Sequence, residues 1–168
     1  MKNLLRIIFC LSLALIAGCS ANFEQRFAAA SKLEGPLRPG PYAGAYSGRW
    51  TSARNSAWGG KLRCILTPIN ASDYRADFHA TWHGLSSRHS VVLHTKPAAR
   101  KEMIGFQAGE RSFEGTSTLH TIIGAGTYSC KGHLHKNGSA VCMDACYDAT
   151  YDRGGFQMSR VRPGAAVR

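Results

Sequence analysis

Apolar and polar side chains alternate along much of this chain, with the period of two that a half-buried β-strand shows. The clearest stretch runs from Tyr74 to Trp82, where every second residue is apolar and those between are polar. Two earlier stretches near 46–50 and 62–66 repeat the pattern. Weaker ones follow at about 87–95, 102–109, 111–121, 126–135, 139–151 and 155–161. The pattern predicts an all-β fold, a small antiparallel up-and-down β-barrel or sandwich of about eight or nine strands.

One hairpin can be interpreted residue by residue, because Asn137-Gly138 is a strong signal for a two-residue type I′ turn. Such a turn places Cys142 opposite His133 and separates the two faces of the hairpin. His135 and Cys146 share the outer face with polar residues, so we expect that face to lie in water. The inner face collects Tyr128, Cys130, Gly132, Leu134, Val141, Met143, Ala145 and Tyr147.

The N-terminus departs from this alternation. Lys2 and Arg6 precede an unbroken stretch of apolar and small residues over 7–17, and Gly18 and Cys19 follow it. A charged start and a short apolar stretch are typical of a cleavable export signal, since a bilayer span needs about 20 apolar residues. A buried helix or a membrane-spanning anchor is the alternative.

The residues Ile16-Ala17-Gly18-Cys19 resemble the lipobox of bacterial lipoproteins. This resemblance implies that Cys19 is diacylated and becomes the first residue of the mature protein, held at the membrane by its acyl chains. Ser20, where an Asp would signal retention, resembles the pattern of lipoproteins sent to the outer membrane. The implied location is the cell envelope, on the periplasmic side of that membrane.

These patterns divide the chain into four segments. We expect residues 1–18 to be a signal peptide that is removed, 19–41 a lipidated tether, 42–161 the barrel-like domain and 162–168 a disordered tail. Within the tether, the stretch from Asn22 to Ala28 predicts one short helix capped by Asn22. The Pro- and Gly-rich run after it cannot join a sheet.

The chain is basic, with 21 Lys and Arg against 10 Asp and Glu. Removing 1–18 takes away Lys2 and Arg6 and no acid, so the mature protein keeps 19 basic residues and a formal charge of +9. For an exported protein this charge favours an anionic envelope polymer as partner, and nucleic acid is not expected. Because the basic residues are scattered, a solvated basic surface without a partner is the alternative.

Of the six cysteines, Cys10 is lost with the signal peptide and Cys19 is acylated, so four remain, namely Cys64, Cys130, Cys142 and Cys146. An even number in an oxidising compartment predicts two disulfides. Cys64 and Cys130 point inward and are the simplest pair. Cys142 and Cys146 lie farther apart on a regular strand than the ~6.8 Å that a disulfide allows between Cα atoms, so joining them needs a bulge or a helical turn. Pairing Cys64 with either of them needs a different register.

A rival interpretation of the hairpin's outer face is a zinc or copper site. His133 and His135 project the same way from one strand, and Cys142 is a possible third ligand. The alternative is two exposed histidines beside a cysteine that is bound in a disulfide.

Motifs of catalytic and nucleotide sites are absent from the sequence, including the Gly-x-Ser-x-Gly elbow, His-Glu-x-x-His, the P-loop and Gly-x-Gly-x-x-Gly before a helix. Asp144, Asp148 and Asp152 could form a carboxylate row, but a polar strand face explains them at least as well. We therefore expect a protein that is not an enzyme and uses no cofactor.

Gly48-Arg49-Trp50 in the first strand is similar to the Gly-x-Trp motif of the calycins, the lipocalin and avidin-like barrels. In those folds a basic residue near the end of the last strand packs over the Trp and closes the barrel, and Arg160 is in a matching place. The resemblance implies a barrel whose mouth holds a small apolar ligand. If aromatic side chains fill the barrel, it is a structural or docking domain instead.

The expectation from the sequence is a membrane-anchored, non-enzymatic envelope lipoprotein. Its barrel binds either a small apolar ligand or, on its surface, an anionic envelope polymer. A metal-binding envelope protein that uses His133, His135 and Cys142 is one alternative, and a purely structural lipoprotein is another. The oligomeric state does not follow from any of these patterns.

Overall fold

Apart from the one predicted over 102–109, the strands predicted from the alternation are present in the computed structural model, which describes residues 22–33, 39–98, 110–121 and 124–163. Over these residues the chain forms eight strands. Their bounds are β1 Gly44–Ser52, β2 Gly59–Pro68, β3 Asp73–Trp82, β4 Leu85–Pro97, β5 Arg111–Thr121, β6 Gly124–Asn137, β7 Ala140–Ala149 and β8 Arg153–Arg160.

Each strand pairs antiparallel with the next one along the chain, and β8 pairs antiparallel with β1. The result is a closed up-and-down barrel, so the all-β prediction is confirmed and the barrel, rather than the sandwich, is formed. This architecture is consistent with a calycin-like barrel. Every strand has a neighbour on both sides, and β4 and β5 pair over only four residues each, His94 to Pro97 with Arg111 to Glu114.

The barrel interior is filled by the apolar half of each alternating strand. On β3 the inward residues Tyr74, Ala76 and Phe78 are at most 2 % exposed, which confirms the face predicted from the period of two. The core continues around the barrel through Tyr46, Leu62, Cys64, Leu66, Val91, Leu93, Phe113, Tyr128, Cys130, Leu134, Val141, Met143, Phe156 and Met158.

The β6–β7 hairpin has the predicted faces but a different register. Asn137 pairs with Ala140, so Cys142 lies opposite His135, and the predicted opposition of Cys142 to His133 is wrong. The reason is the turn. Gly138 takes a φ of 58° while Asn137 stays in the strand, which is the type II′ pattern rather than type I′. A turn displaced by one residue shifts each pair by two, so every side chain keeps its face.

The left-handed pair expected of a type I′ turn occurs instead between β3 and β4. His83 has a φ of 46° and Gly84 a φ of 79°, and Trp82 pairs with Leu85 across the turn. Glycine adopts this conformation without the steric cost that a side chain adds, and histidine is among the residues that tolerate it best.

A helix over 22–31 packs on the outside of the barrel. Phe23 and Phe27 are 6 % and 2 % exposed, and they contact Ala45 and Ile65, the outward apolar residues of β1 and β2. This helix lies in the segment interpreted from the sequence as a tether. Residues 22–31 therefore pack on the folded domain and are not a free linker.

Two ion pairs fasten the same helix. Arg26 binds the carboxylate of Asp77 on β3, and Arg63 on β2 binds both carboxylate oxygens of Glu24 at 2.6 and 2.7 Å. The Arg63 guanidinium also lies over the rings of Phe23 and Phe27, at 5.4 and 5.3 Å from their centroids. Apolar burial and charge pairing thus act on the same face.

Several predictions concern residues outside the described part of the chain. These are the signal peptide and Cys19, the strand predicted over 102–109, part of the tether and most of the tail after 162. Among the described helical residues, none belongs to a helix of the length and apolar character that crossing a bilayer requires.

Candidate functional site

The two ends of the barrel differ in how they are covered. At the end where β1 begins, which we call the base, Tyr42 is 6 % exposed and its carbonyl accepts a hydrogen bond of 2.8 Å from the Tyr46 hydroxyl. Arg160 donates to the carbonyl of Pro41 at 2.9 Å, and the Tyr42 ring packs edge-on against Tyr74. The base is therefore closed by the segment that leads into β1.

At the opposite end, which we call the mouth, aromatic side chains form one continuous cluster. Trp50 packs edge-on against Trp82 and Tyr147, at centroid distances of 5.9 and 6.5 Å. Tyr147 stacks on Tyr128 at 6.2 Å, and the Tyr128 ring lies 4.4 Å from that of His89. Phe78 and Phe156 continue the cluster into the core.

Polar atoms without partners are buried inside this cluster. Trp50 Nε1, both ring nitrogens of His89 and the hydroxyl of Ser117 are inaccessible to solvent and make no hydrogen bond within the described structure. Ser117 pairs with Tyr128 across β5 and β6, and the Tyr128 ring contacts His89, so the unpaired groups share one region. A buried polar group without a partner costs about 1–3 kcal/mol, so its presence calls for a bound water or ligand group.

His89 is uncharged at neutral pH in this setting. Burial lowers its pKa to about 4, because the apolar surroundings disfavour the imidazolium. A neutral imidazole has one N–H donor and one acceptor nitrogen. His89 can therefore donate one hydrogen bond to a ligand and accept another.

The neighbouring tyrosines are held in place. The Tyr147 hydroxyl donates to Asp152 at 2.6 Å, and Ser52 donates to the other oxygen of the same carboxylate at 2.6 Å. Burial, followed by the nearby Asp152 carboxylate, raises the pKa of Tyr147, and burial raises that of Tyr128 well above its usual value. Both phenols are thus protonated, and they present a rigid aromatic wall.

The predicted metal ligands do not converge. His133 lies opposite Asp144, and His135 Nε2 is 3.5 Å from Asp144 Oδ2. The Cys142 thiol is 3.6 Å from the Ser159 hydroxyl. Within the described ranges no three His, Cys, Asp or Glu side chains are grouped so that they could hold a metal ion.

The cysteines have the orientations predicted from strand parity. Cys64 and Cys130 are buried in the core at 0 % and 4 % exposure, while Cys142 is partly exposed and Cys146 is exposed. All four are free thiols in the structure, so the disulfides stay a prediction. The partners along β7 run without a break from Ala140 to Ala149, and the bulge that a bond between Cys142 and Cys146 needs is not present there.

Trp50 and Arg160 are not brought together. Arg160 pairs with Tyr46 at the base, whereas Trp50 pairs with Phe156 and reaches the mouth. In an antiparallel pair the end of β8 lies beside the start of β1, and β1 begins at Gly44, well before the Gly-x-Trp motif. The expected closure of the barrel by Arg160 over Trp50 is therefore not formed, and Arg160 instead helps to close the base.

A shallow hollow of about 930 Å³ crosses the sheet from β5 to β1. Its basic side chains, Arg49, Lys96 and Lys131, alternate with the carboxylates of Glu114 and Asp144. Mixed charge of this kind does not form a uniform positive surface for a polyanion.

Comparison with protein-family models, with curated proteins and with solved structures gives no match for this chain. The interpretation of the site therefore depends on its own geometry. Sequence reasoning had placed Tyr128 and Tyr147 on the inner face of their hairpin and Trp82 among the apolar residues of the clearest strand, but it missed His89 and Ser117. His89 points inward because it lies two residues before Val91, which is buried in the core as Leu93 is. Ser117 points inward because it pairs with Tyr128 across β5 and β6.

Proposed function

We propose that this chain is a membrane-anchored, non-enzymatic lipoprotein of the cell envelope whose barrel binds a small, largely apolar ligand at the mouth. The observation that carries the proposal is the set of unpaired buried polar atoms on Trp50, His89 and Ser117. They lie within a cluster of aromatic rings, and small-molecule sites combine such apolar walls with a few placed polar groups. A ligand with one or two hydrogen-bonding groups would satisfy them.

The anchor is supported by the N-terminal residues alone. The charged start, the short apolar stretch and the lipobox-like Ile16-Ala17-Gly18-Cys19 occur in the order that export and acylation require. Two or three acyl chains make release from a bilayer negligible, since each buried CH₂ contributes about 0.8 kcal/mol. The barrel would then act at a membrane surface.

A ligand in the mouth is favoured over an anionic polymer on the barrel surface. The hollow across β5 to β1 carries charges of both signs, and two of the basic side chains elsewhere, Arg26 and Arg63, already bind carboxylates. Among the residues that the structure describes, no comparable pairing accounts for the polar atoms at Trp50 and His89.

Ligand binding can be tested with anilinonaphthalene sulfonate as a fluorescent probe and myristic acid as its competitor. We expect saturable binding, displacement by myristic acid and little dependence on salt. His89→Phe keeps a ring in place but removes both nitrogens, and we expect it to weaken binding of myristic acid up to about tenfold, the loss of one hydrogen bond.

Two serines of β5 provide a matched control. Ser117→Ala removes the buried hydroxyl in the mouth, whereas Ser112→Ala removes one on the outer face of the same strand. Only the former should weaken binding. Equal affinities in all variants would contradict the proposal, and affinity that fades as salt is added would indicate a charged surface site instead.

The anchor has a separate test. Cys19→Ala, or globomycin treatment of the wild-type chain, should leave an unprocessed precursor in the cell membrane. Normal maturation of the Cys19→Ala chain would refute acylation at this residue and leave the ligand proposal untouched.

A further inference from the structure

Large apolar side chains that are exposed to solvent gather at one end of the barrel. Trp58, Leu85 and Tyr151 are 50 %, 60 % and 47 % exposed, and each lies on a connection or strand start at the mouth. Of the other two large apolar residues exposed in the described chain, Ile69 lies at the base and Val92 on the side. We call Trp58, Leu85 and Tyr151 the rim.

The rim spans three different connections of the mouth. Trp58 precedes β2, Leu85 begins β4, and Tyr151 lies between β7 and β8. Exposed apolar side chains therefore occur on three connections at the mouth, an arrangement that folding of the barrel itself does not require.

Basic side chains surround the rim. Arg54, Lys61 and Arg153 are exposed near the same end. The acidic side chains there are Asp148 and Asp152, and the carboxylate of Asp152 is occupied by the hydroxyls of Ser52 and Tyr147. Tryptophan and tyrosine with neighbouring arginine and lysine are the residues that favour the interface of an anionic bilayer.

The outer helix runs from the mouth side of the barrel toward the base. Phe23, at the start of the helix, contacts His79 and lies beneath the Arg88 guanidinium, whereas Ala30, near its end, lies beside Gly44 at the base. The helix therefore begins toward the mouth and ends at the base, so its first residue, Asn22, lies at the end of the helix nearer the mouth.

The distance to Cys19 is short enough to reach the rim. Three chain steps lead from Asn22, where the helix begins, back to Cys19, and fully extended they reach about 10 Å. The three steps along β3 from His79 to Trp82 also rise about 10 Å toward the mouth. An acyl group on Cys19 can thus lie at the level of Trp58, Leu85 and Tyr151.

We propose that the rim docks on the surface of an anionic phospholipid bilayer, so that the mouth opens toward the lipid. The orientation of the barrel on the membrane rests on the proposed acylation of Cys19. The contact with lipid rests on the exposed residues of the rim. This docking deepens the proposed function, because a ligand that reaches the mouth from a bilayer is an amphiphile with an acyl or similar apolar chain.

The test uses the full chain isolated in its acylated form and reconstituted into phosphatidylcholine vesicles that contain a minority of phosphatidylglycerol. Brominated acyl chains quench tryptophan that enters the lipid. We expect Trp58 to lose most of its emission, so that Trp58→Phe abolishes most of the quenching shown by the wild-type chain.

Two reporters in the Trp58→Phe background provide the comparison. Leu85→Trp puts tryptophan back on the rim, and Ile69→Trp puts one at the base, where the native residue is similarly exposed at 56 %. Quenching at position 85 and its absence at position 69 support the docking. Equal quenching of both, quenching at the base alone, or quenching of neither overturns it.

The same sample separates the docking from the other proposals. Mass spectrometry of the N-terminal peptide reports acylation of Cys19, and displacement of the fluorescent probe reports the ligand site. Rim quenching on a chain without acyl groups would retain the docking and reject the anchor. An acylated chain whose rim is not quenched would retain the anchor and reject the docking.

Discussion

Acidification should weaken the fold through His89 in addition to the acid-sensitive carboxylates. Its pKa is lowered from 6.5 to about 4 by burial, so between these values the unfolded chain binds a proton that the folded chain does not. Stability contributed by neutral His89 is therefore complete at pH 7 and is lost as the pH falls through this window. The loss amounts to about 3 kcal/mol at pH 4, with about half of it reached by pH 5.5.

The measurement is urea unfolding of the wild-type chain and of His89→Phe at pH 7, 5.5 and 4, followed by tryptophan fluorescence. Other acid-sensitive groups act in both proteins, among them Glu24, whose pKa is lowered first by its hydrogen bond from Arg63. The difference between the two unfolding free energies therefore isolates His89. It should grow by about 3 kcal/mol in favour of the variant from pH 7 to pH 4. A constant difference would refute the conclusion that His89 is buried and neutral.

Three further predictions concern the packing of the barrel. Phe27→Ala should lower the free energy of unfolding by about 3 kcal/mol because the ring is buried under the helix, while Gln25→Ala on its exposed face should change it by less than about 0.5 kcal/mol, both read from urea midpoints. Gly132→Ala should lower the free energy of unfolding by about 3 kcal/mol or more, since the added Cβ would overlap the Asp144 carbonyl. Gly138→Ala meets open space and should lower it by about 1 kcal/mol because of the positive φ at that position. Thermal denaturation compares the two variants. Iodoacetamide should alkylate Cys146 in the native protein but reach Cys64 and Cys130, inside the barrel, only after unfolding. Peptide mapping by mass spectrometry without reductant measures this, and a disulfide between Cys64 and Cys130 would contradict the prediction.

The fold could be predicted because its strongest signals are local. On β3 the alternation from Tyr74 to Trp82 decides which residues enter the core. A closed barrel forms when the neighbouring strands also turn their apolar residues inward. The faces of β6 and β7 could be assigned for the same reason. An error in the turn left Leu134 and Met143 inside, because a register shift of two preserves parity.

Turn type was less accessible to sequence reasoning. Asn137-Gly138 favours type I′, yet the barrel places the turn one residue later, and the type I′ conformation falls on His83-Gly84. The preference of Asn137-Gly138 for one turn type over another is small, because the two turn types differ by about one residue in the left-handed conformation. The twist and strand pairing of the whole sheet outweigh this preference. The partners of His133 and Cys142 depended on that detail.

The outer helix shows the limit for contacts that are distant in sequence. A short helix after Asn22 was expected, but nothing in 22–31 indicates that Arg26 binds Asp77 or that Phe27 meets Ile65. Those contacts depend on Ile65 of β2 and Asp77 of β3, which point outward. In the sequence, a single apolar or acidic residue on the outer face of a strand does not indicate that a helix covers it. The result is a barrel held close to its proposed anchor instead of one on a long free tether.

The mouth is where the sequence departs from the rule that core positions are apolar. A phenylalanine at position 89 or an alanine at position 117 would fill the same space without leaving buried nitrogens or a hydroxyl unpaired, and each unpaired group costs about 1–3 kcal/mol. Natural chains keep such groups mainly where function uses them. His89→Phe should therefore be at least as stable as the wild-type chain at pH 7 while binding myristic acid less tightly. That opposition of stability and affinity distinguishes a ligand site from a structural core, in which the same substitution would change stability alone.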